Sequence, residues 1–251
     1  MQNKITQAVI LAAGLGTRLR PLTDTMPKVM VPIAPGKPLL EHTIELLRAQ
    51  GIDDFIINVH YLPEVITSYF GDGTEWGVHI RYSDERDQPL ETGGAIKKME
   101  PMLNENFLLL YGDELHFFDF EPLIAMHGKN QAFGTIVLKK SDFLKDGDIG
   151  EFAPSTKKIL RWHTRPHEIT TGAPNVMINA GLYAFSKKIL HYIPSSIPIK
   201  LDGEVIPRAL AAGEIFYAFP ADEPIWDIGR PEKYEKARDY YASMMKPSAG
   251  K

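Results

Sequence analysis

The first apolar run of the sequence ends at Leu11 and leads directly into two glycines and a cluster of cations. A glycine that follows a buried strand lets the backbone approach a phosphate, with amide N–H groups pointing at it. Pro21 and Pro27 restrict the backbone around the cations, so the basic side chains can be held in place. This combination predicts a loop that binds phosphates. Its glycines are Gly14 and Gly16, and its cations are Arg18, Arg20 and Lys28.

Neither of the two common phosphate-binding motifs describes this loop. A P-loop requires a glycine, four residues and then Gly-Lys-Ser or Gly-Lys-Thr, and no segment of the sequence has that pattern. The dinucleotide-binding fingerprint requires a third glycine at the position that Leu19 occupies. The residues alone therefore leave two interpretations open: a phosphate-binding loop of another type, or a solvated basic loop beside a structural turn.

Two aspartates are candidates for a metal site. Asp113 ends the apolar run 106–113, and α/β sheets hold their ligands at the carboxyl ends of parallel strands. Asp227 lies far along the chain, in the sequence Trp-Asp-Ile-Gly. Carboxylate oxygens suit Mg²⁺, which usually takes one or two carboxylates together with substrate phosphates. Either aspartate can also cap a turn, and their spacing alone does not pair them.

Short β-like runs alternate with helical runs through the first half of the chain. This alternation predicts βαβ units and a mainly parallel sheet. From about residue 141 the pattern changes, and shorter runs predict some antiparallel pairing. No linker divides the chain, so we predict a single domain over 1–251, with a nucleotide-binding half at about 1–140 and a second half at about 141–245. The predicted strands are 7–13, 54–60, 78–84, 106–113, 133–140, two within 150–162, 175–186 and 215–221, and the predicted helices are 39–51, 63–71, 92–99, 120–130, 187–193, 204–213 and 231–245, the last with Tyr234, Ala237, Tyr241 and Met244 on one stripe.

Composition excludes several classes of protein. The net charge is −4 and the pI is near 6.1, which argues against nucleic acid as a partner. The absence of cysteine excludes disulfides, thiolate zinc sites and thiol nucleophiles. The first ten residues lack the apolar core of a signal peptide, and no apolar run approaches the roughly 18 residues of a membrane-spanning helix. We therefore expect a cytoplasmic protein that does not bind a membrane.

Four segments resemble the motifs of the sugar-1-phosphate nucleotidyltransferases, also called nucleotide-sugar pyrophosphorylases. LAAGLGTRLRPLTDTMPK is similar to the long signature loop of that family, with almost no gaps. YGDELHFFD resembles its Gly-Asp metal motif, INAGLYAF its sugar motif, and WDIGRPEKY its C-terminal motif. The resemblance covers about residues 7 to 241. It implies a Rossmann-like three-layer α/β/α fold, similar to the GT-A type, with a mixed, mainly parallel central sheet.

The resemblance also implies a reaction and its catalytic residues. Enzymes of this family join a nucleoside triphosphate to a sugar 1-phosphate and release pyrophosphate, through Mg²⁺-dependent in-line attack on the α-phosphate. Both reactants are anions, so positioning and electrostatic stabilisation carry the catalysis. The implied catalytic residues are Arg18, Lys28, Asp113 and Asp227, and the two aspartates are the implied metal ligands.

The binding residues follow from the same motif matches. The glycine-rich loop is expected to wrap the triphosphate, and the segment that begins at Glu91 is expected to lie against the nucleobase. The implied nucleotide-binding residues are Leu11, Ala13, Gly14, Gly16, Thr17, Arg18, Glu91, Gly93 and Gly94, and the implied sugar-phosphate-binding residues are Lys28, Arg165, Asn179 and Gly181.

Three departures from the family pattern bear on the substrate. Glu91 stands where most members have glycine, and the resulting Leu-Glu-Thr-Gly-Gly looks like the N-acetylmuramate-1-phosphate uridylyltransferases. Thr164 and Arg165 replace the glutamate and lysine of a family Glu-Lys-Pro motif, so an acidic contact to the sugar is lost. Arg230 replaces a threonine. Overall similarity favours a mannose-1-phosphate guanylyltransferase, while a uridylyltransferase for N-acetylmuramate 1-phosphate and a guanylyltransferase for heptose 1-phosphate stay open.

Other classes of function also stay open from sequence. A non-catalytic regulatory relative that senses a nucleotide sugar is one, although the implied catalytic groups are all present. A dinucleotide-dependent oxidoreductase is another, and Leu19 weakens it. The polar C-terminal tail leads us to expect no additional left-handed β-helix domain. The aromatic residues of the last helix can serve either packing within the chain or a homodimer contact.

Overall fold

A computed structural model describes residues 5–141, 143–170, 172–195 and 197–245. The strands are β1 (Gln7–Leu11), β2 (Pro32–Ala34), β3 (Lys37–Pro38), β4 (Asp54–Val59), β5 (His79–Asp84), β6 (Asn106–Tyr111), β7 (Glu114–His116), β8 (Gly134–Lys139), β9 (Ile149–Phe152), β10 (Ile159–His163), β11 (Val176–Ser186), β12 (Phe216–Ala221) and β13 (Ile225–Asp227). The α-helices are α1 (Leu39–Ala49), α2 (Pro63–Phe70), α3 (Glu91–Lys98), α4 (Glu121–Asn130), α5 (Ile206–Ala211) and α6 (Pro231–Met244).

Nine of these strands form one mixed sheet, in the order β10-β9-β11-β6-β1-β4-β5, with β8 joined to β11 and β12 joined to β8. Strands β6, β1, β4 and β5 are parallel neighbours. Strand β11 is antiparallel to β6, β8 and β9, and β10 is antiparallel to β9. Because β12 runs parallel to β8, only β10 and β11 oppose the common direction. The prediction of a mixed, mainly parallel sheet is confirmed.

Both faces of this sheet are covered by helices. Along β1, Ala8 and Ile10 belong to one hydrophobic cluster and Val9 to a second, because successive side chains of a strand point to opposite faces. The central strands therefore read as continuous apolar runs, as parallel strands buried on both faces do. This arrangement confirms the three-layer architecture. The first cluster takes Leu40 and Ile44 of α1, Ile66 of α2 and Leu123 of α4, and the second takes Ile96 of α3 and Ile206 and Ala209 of α5.

The predicted elements are present with shorter or altered ends. The run 187–193 forms a 3₁₀ turn over Lys187–Tyr192, and the helix predicted from 204 begins with a π-helical turn over Leu201–Val205 before α5. The periodicity did not reveal β2, β3, β7 or β13, each of which has three residues or fewer. Such short strands show no hydrophobic alternation, yet β7 and β13 turn out to position the site.

Helix α6 packs across the loop that follows β1. A third hydrophobic cluster joins Leu19 of that loop to Tyr234, Ala237 and Tyr241 of the helix, and the hydroxyl of Tyr234 donates to the carbonyl of Pro32 at 2.6 Å. The fourth residue of the predicted stripe, Met244, is 48% exposed because it lies in the last turn, beyond this cluster. Among the described residues, none of the helices combines the length and apolar character needed to cross a membrane.

The buried His127 provides a pH-dependent test of how helix α4 packs against the sheet. It is 3% exposed, its Nδ1 lies 3.1 Å from Thr135 Oγ1, and its Nε2 lies 3.2 Å from Asn106 Oδ1. Burial lowers its pKa from 6.5 to about 4. Below about pH 6.5 the imidazole of His127 is protonated in the unfolded chain but stays neutral in the folded chain. The free energy of unfolding therefore decreases as the pH falls toward 4.

We expect His127→Gln to flatten the decline in the free energy of unfolding between pH 7 and pH 4 by up to about 3 kcal/mol, as a shift of this size implies. Urea titrations of both proteins at several pH values measure it. The variant is compared with the wild type by the slope against pH, so a constant loss of stability does not matter. Parallel slopes for the two proteins would contradict the prediction.

Candidate active site

A short antiparallel ladder brings the two candidate metal ligands together. Asp113 is separated from the end of β6 by Gly112, and the next residues form β7, which pairs with β13 so that Glu114 lies opposite Asp227. The amide of Ile228 donates to the carbonyl of Asp113 at 3.0 Å. Backbone hydrogen bonds thus hold two carboxylates side by side that lie at positions 113 and 227 of the sequence.

Lys28 of the basic loop reaches both carboxylates. Its Nζ forms an ion pair with Asp113 Oδ2 and lies 3.8 Å from Asp227 Oδ1. The residue is 8% exposed, so this cation is held in place by its surroundings. A second ammonium, that of Lys233 on α6, lies 3.1 Å from Asp227 Oδ2. Three separate segments therefore meet in one cluster of alternating charge.

The surrounding charges keep Asp227 ionised. Burial opposes ionisation of this carboxyl, but Lys28, Lys233 and the amide of Gly229, which donates to Oδ1 at 2.6 Å, outweigh it and lower its pKa. Gly229 also leaves no room for a side chain. A β-carbon there would lie 2.6 Å from Asp227 Oδ1, 3.1 Å from an Nη atom of Arg18 and 3.2 Å from Lys28 Nζ. The guanidinium of Arg18 therefore lies beside the cluster.

A third carboxyl, that of Glu114, lies beside this cluster, and its pKa is shifted in the opposite direction from that of Asp227. Its side chain is 12% exposed, and within the described part of the chain its Oε2 has no hydrogen-bond partner. Burial raises its pKa to about 8. The charges of Asp113 and Asp227 add to the rise, and Lys139, whose Nζ is 3.7 Å away, opposes it. Sequence reasoning missed Glu114 because nothing in its neighbours distinguishes it from an ordinary strand residue.

Two cavities meet at this cluster and share Tyr111 and Asp113. The larger has a volume of about 590 Å³ and the smaller about 390 Å³. The residues implied for the nucleotide and for the sugar phosphate fall largely into different cavities. The smaller is lined by Leu11, Ala13, Gly14, Lys28 and Glu91, and the larger by Arg18, Arg165, Asn179, Gly181 and Asp227.

The wall of the smaller cavity is a buried polar network. Asn58 at the end of β4 accepts from the amide of Ala12 at 2.7 Å and donates to Glu85 Oε1 at 2.9 Å. The other oxygen of Glu85 accepts from the amide of Leu90 at 3.2 Å. Burial raises the pKa of Glu85, although these hydrogen bonds oppose the rise. The network ties the ends of β1 and β4 to the segment that precedes α3.

Four residues implied for the nucleotide lie outside these two cavities. Gly16 adopts a left-handed φ of 65°, and a β-carbon on it would lie 3.0 Å from the side chain of Thr23. The amide of Gly93 donates to the carbonyl of Ile199 at 2.8 Å, and a β-carbon on Gly94 would lie 2.7 Å from the carbonyl of Ile197. Packing within the chain accounts for these glycines, and their contact with the nucleotide stays a prediction. The four residues are Gly16, Thr17, Gly93 and Gly94.

The floor of the larger cavity carries a second buried carboxylate network, which sequence reasoning did not find. Asp202 is 8% exposed and accepts from the hydroxyls of Tyr111 and Tyr183. Asn179 donates to the hydroxyl of Tyr183 at 2.6 Å and accepts from the amide of Gly181 at 3.1 Å. Burial raises the pKa of Asp202 to about 6, against the lowering effect of the two tyrosine hydroxyls.

Arg165 lies at the rim of the larger cavity and is anchored by acidic residues. Its amide donates to Asp148 Oδ1 at 2.8 Å, and its guanidinium donates to the carbonyl of Asp146 at 2.9 Å. The side chain is 56% exposed, so part of it remains accessible from the cavity that it lines. His167 lies two residues after Arg165, and its Nε2 is 3.0 Å from the carbonyl oxygen of Gly147, which helps to hold this loop in place.

The donor set around Lys28 fits Mg²⁺. Asp113 and Asp227 offer hard carboxylate oxygens close to one another, and such oxygens with substrate phosphates are the usual ligands of this ion. Within the described residues there is no cluster of three or more His, Cys, Asp or Glu side chains that could hold a metal. An ion held by the two aspartates would therefore need substrate phosphates as further ligands.

Comparisons with known proteins identify the family of this chain. The model of the family described as nucleotidyl transferase matches residues 7–244. The chain is 36% identical over 243 residues to a UTP–glucose-1-phosphate uridylyltransferase of Synechocystis, an alignment covering 92% of this chain. It is 35% identical over 233 residues to a mannose-1-phosphate guanylyltransferase of Mycobacterium tuberculosis, covering 90% of this chain. The chain spans 62% of the length of each of these two relatives.

The fold is also similar to solved structures. A putative glucose-1-phosphate thymidylyltransferase from Bacillus anthracis superposes with a TM-score of 0.82, covering 98% of this chain and 97% of that chain. The sequences are 21% identical, so this likeness concerns the fold.

Gly14 and Gly16 provide a matched test of the loop. No described atom beyond the immediate chain neighbours lies within 4 Å of a β-carbon on Gly14, which lines the smaller cavity. We expect Gly14→Ala to keep the wild-type melting temperature and to raise the KM for the nucleoside triphosphate, because the methyl group would occupy cavity space.

Gly16→Ala should instead destabilise the protein by roughly 1–2 kcal/mol, because the new side chain would have a left-handed φ and would contact Thr23. Thermal denaturation and steady-state kinetics separate the two. Equal effects of the two substitutions on stability would contradict the prediction.

Glu91 is a non-glycine residue with a left-handed φ of 58° at the first position of α3. This conformation costs an L-residue of the order of 1 kcal/mol, which glycine avoids. We expect Glu91→Gly to raise the free energy of unfolding by about 0.5–1 kcal/mol, measured by urea denaturation. Glu91→Ala keeps the β-carbon and serves as the control, so it should show no such gain. An equal gain in both variants would assign the effect to the carboxylate instead of the backbone.

Proposed function

Because the chain belongs to the nucleotidyl transferase family, we propose that it joins a nucleoside triphosphate to a sugar 1-phosphate and releases pyrophosphate and a nucleotide sugar. The observation that carries this proposal is the cluster of Lys28, Asp113 and Asp227 at the junction of two cavities. A reaction between two bound anions needs one compartment for each and compensating charge where they meet.

The smaller cavity takes the nucleoside and the larger takes the sugar. Gly14 leaves open space beside the smaller cavity, which supports close approach of the triphosphate to the loop backbone. Asn179 and Gly181 line the larger cavity. The sugar phosphate then lies near Asp113, and its oxygen attacks the α-phosphorus from the side opposite the leaving pyrophosphate.

The cations of the loop act on the negative charge of the reactants. Lys28 lines the smaller cavity and pairs with Asp113, which both cavities share, so its ammonium neutralises repulsion between the attacking phosphate and the α-phosphate. Arg18 stabilises the charge that accumulates on the departing pyrophosphate. Asp113 and Asp227 would hold Mg²⁺, which would supply further charge neutralisation at the phosphates. No step requires a covalent enzyme intermediate, consistent with a sequence without cysteine.

We propose guanylyl transfer to mannose 1-phosphate as the leading substrate pair. The relative from Mycobacterium tuberculosis, named for that reaction, supports it, while the relative from Synechocystis is named for UTP and glucose 1-phosphate. The Leu-Glu-Thr-Gly-Gly segment keeps N-acetylmuramate 1-phosphate with UTP as an alternative, and its glycine pair keeps heptose 1-phosphate with GTP as another. A cytoplasmic location and a homodimer remain predictions.

Pyrophosphate release in the presence of a panel of nucleoside triphosphates and sugar 1-phosphates tests the reaction. We expect one pair to support turnover, and chelation of divalent cations to stop it. A non-catalytic nucleotide-sugar sensor would instead bind a nucleotide sugar and release no pyrophosphate with any pair, which would overturn the proposal. The panel includes GTP, UTP, dTTP and CTP with the 1-phosphates of mannose, glucose, N-acetylmuramate and heptose.

We expect Arg18→Ala and Lys28→Ala to lower kcat by roughly 10²–10³, the loss typical of removing a single stabilising donor. Arg20→Ala is the matched control, because this cation belongs to the same loop but pairs with Asp24 at 3.3 Å, and its side chain is 56% exposed. Steady-state kinetics on the active pair give the comparison. Wild-type turnover in both test variants would show that the roles are assigned to the wrong residues.

A further inference from the structure

Asp202 is fixed in position from several sides. It lies in the π-helical turn Leu201–Val205, where the amide of Leu201 donates to Thr92 Oγ1 at 2.8 Å. The indole N–H of Trp162 donates to the carbonyl of Asp202 at 2.9 Å. Contacts from α3 and β10 thus hold its backbone, and the residue helps to line the larger cavity.

The hydrogen bonds around its carboxylate leave acceptor capacity in the cavity. Tyr183 donates to Oδ1 at 2.8 Å, and Tyr111 donates to Oδ2. Each carboxylate oxygen can accept more than one hydrogen bond, so within the described part of the chain both keep an unused acceptor position. Tyr183 is itself fixed, because its hydroxyl accepts from Asn179 at 2.6 Å. The network therefore presents a rigid pair of acceptors to whatever fills the cavity.

Burying a carboxylate requires compensation, which this network provides only in part. Two tyrosine hydroxyls do not replace the full hydration of the carboxylate, and its pKa stays raised, at about 6. Asp148 and Arg165 are the other charged groups that influence it, and their effects oppose one another. Neutral hydroxyl donors from a ligand would supply the missing hydrogen bonds. Two neighbouring hydroxyls on a sugar ring match a carboxylate with one free acceptor on each oxygen.

The larger cavity offers the sugar two groups of opposite charge. Asp202 lies in the turn before α5, and Arg165 lies in the segment that follows β10. Asp202 and Arg165 line the same cavity, although they come from different segments of the chain. A carboxylate is therefore available to the sugar in this protein, supplied by the turn before α5.

We propose that Asp202 is the acidic residue that selects the sugar, by accepting hydrogen bonds from free ring hydroxyls of the sugar 1-phosphate. This inference rests on the proposed function and narrows its substrate class. The carboxylate favours a sugar that is unsubstituted and uncharged at the hydroxyls it contacts, because an anionic substituent there would face a like charge. Asp202 acts on specificity and makes no contact with the reacting phosphorus.

The test compares wild type, Asp202→Asn and Glu204→Gln on the active sugar 1-phosphate and its monodeoxy analogues. Glu204 is exposed on the same turn, and its carboxylate accepts from the amide of Lys200 at 2.9 Å, so it is the matched control. We expect Asp202→Asn to raise the KM for the sugar 1-phosphate tenfold to a hundredfold, the effect of losing hydrogen bonds to a charged group, and to leave the KM for the nucleotide within about twofold. Glu204→Gln should behave as wild type.

The deoxy analogues distinguish recognition from a structural role. In the wild type, at least one analogue should lose about tenfold or more in kcat/KM, and Asp202→Asn should use that analogue as well as the parent sugar. A uniform loss with every sugar would overturn the proposal, since that pattern indicates structural damage. If Asp202→Asn does not fold, Tyr183→Phe removes the donor that orients Oδ1, and it should weaken discrimination against the same analogue; unchanged discrimination overturns the proposal.

Failure of the reaction and failure of this inference give different results. If no pair releases pyrophosphate, the proposed function fails, and calorimetric titration of the sugar 1-phosphates still tests Asp202. That titration uses an α,β-methylene nucleoside triphosphate to fill the smaller cavity. Tighter binding of a sugar 1-phosphate to wild type than to Asp202→Asn supports the inference. Equal affinity, or no binding to the wild type, overturns it.

Discussion

The convergence of two aspartates on one lysine is the interaction on which the arrangement of this protein depends. Like-charged carboxylates repel each other at short distance, and their proximity is stable only with cations between or beside them. Lys28 lies between Asp113 and Asp227, and Lys233 neutralises the far side of Asp227. The β7–β13 ladder, the loop after β1 and helix α6 each contribute one part of this cluster. Displacing any of these elements would leave a partly buried charge without its partner.

The glycines of the site serve two physical purposes that the sequence does not separate. Gly14 stands in open space next to the smaller cavity, so its missing side chain leaves room for a ligand. Gly94 and Gly181 instead allow close approach within the chain, the first to the carbonyl of Ile197 and the second to the ring of Tyr111. Gly181 also has a φ of 72° at an irregular point of the β11–β8 pairing. A glycine in a binding motif can therefore be required by the fold alone.

The two cavities differ in the donors that hold their buried carboxylates. Glu85, beside the smaller cavity, accepts one hydrogen bond from the amide side chain of Asn58 and one from the backbone N–H of Leu90. Asp202, which lines the larger cavity, accepts one hydrogen bond from each of two tyrosine hydroxyls. Burial raises the pKa of both carboxyls, because two donors do not replace the full hydration of a carboxylate.

The sequence by itself determined the layers of the fold and the position of the basic loop. Local alternation of apolar runs identified the parallel strands and their helices, since burial on both faces leaves a continuous apolar signal. The motifs after β1 and around Asp113 and Asp227 likewise identified the family and the candidate ligands.

Only the tertiary structure decided that these aspartates share Lys28, and only it revealed Glu114, Lys233 and Asp202. Glu114 and Asp202 belong to a strand and a turn of five residues or fewer, and Lys28 meets Asp113 at a separation of 85 positions. Lys233 belongs to the long helix α6, and its ion pair with Asp227 of β13 depends on how that helix packs against the strand. Hydrophobic periodicity describes a residue relative to its neighbours along the chain, and a contact made by distant backbone pairing leaves no trace in that pattern.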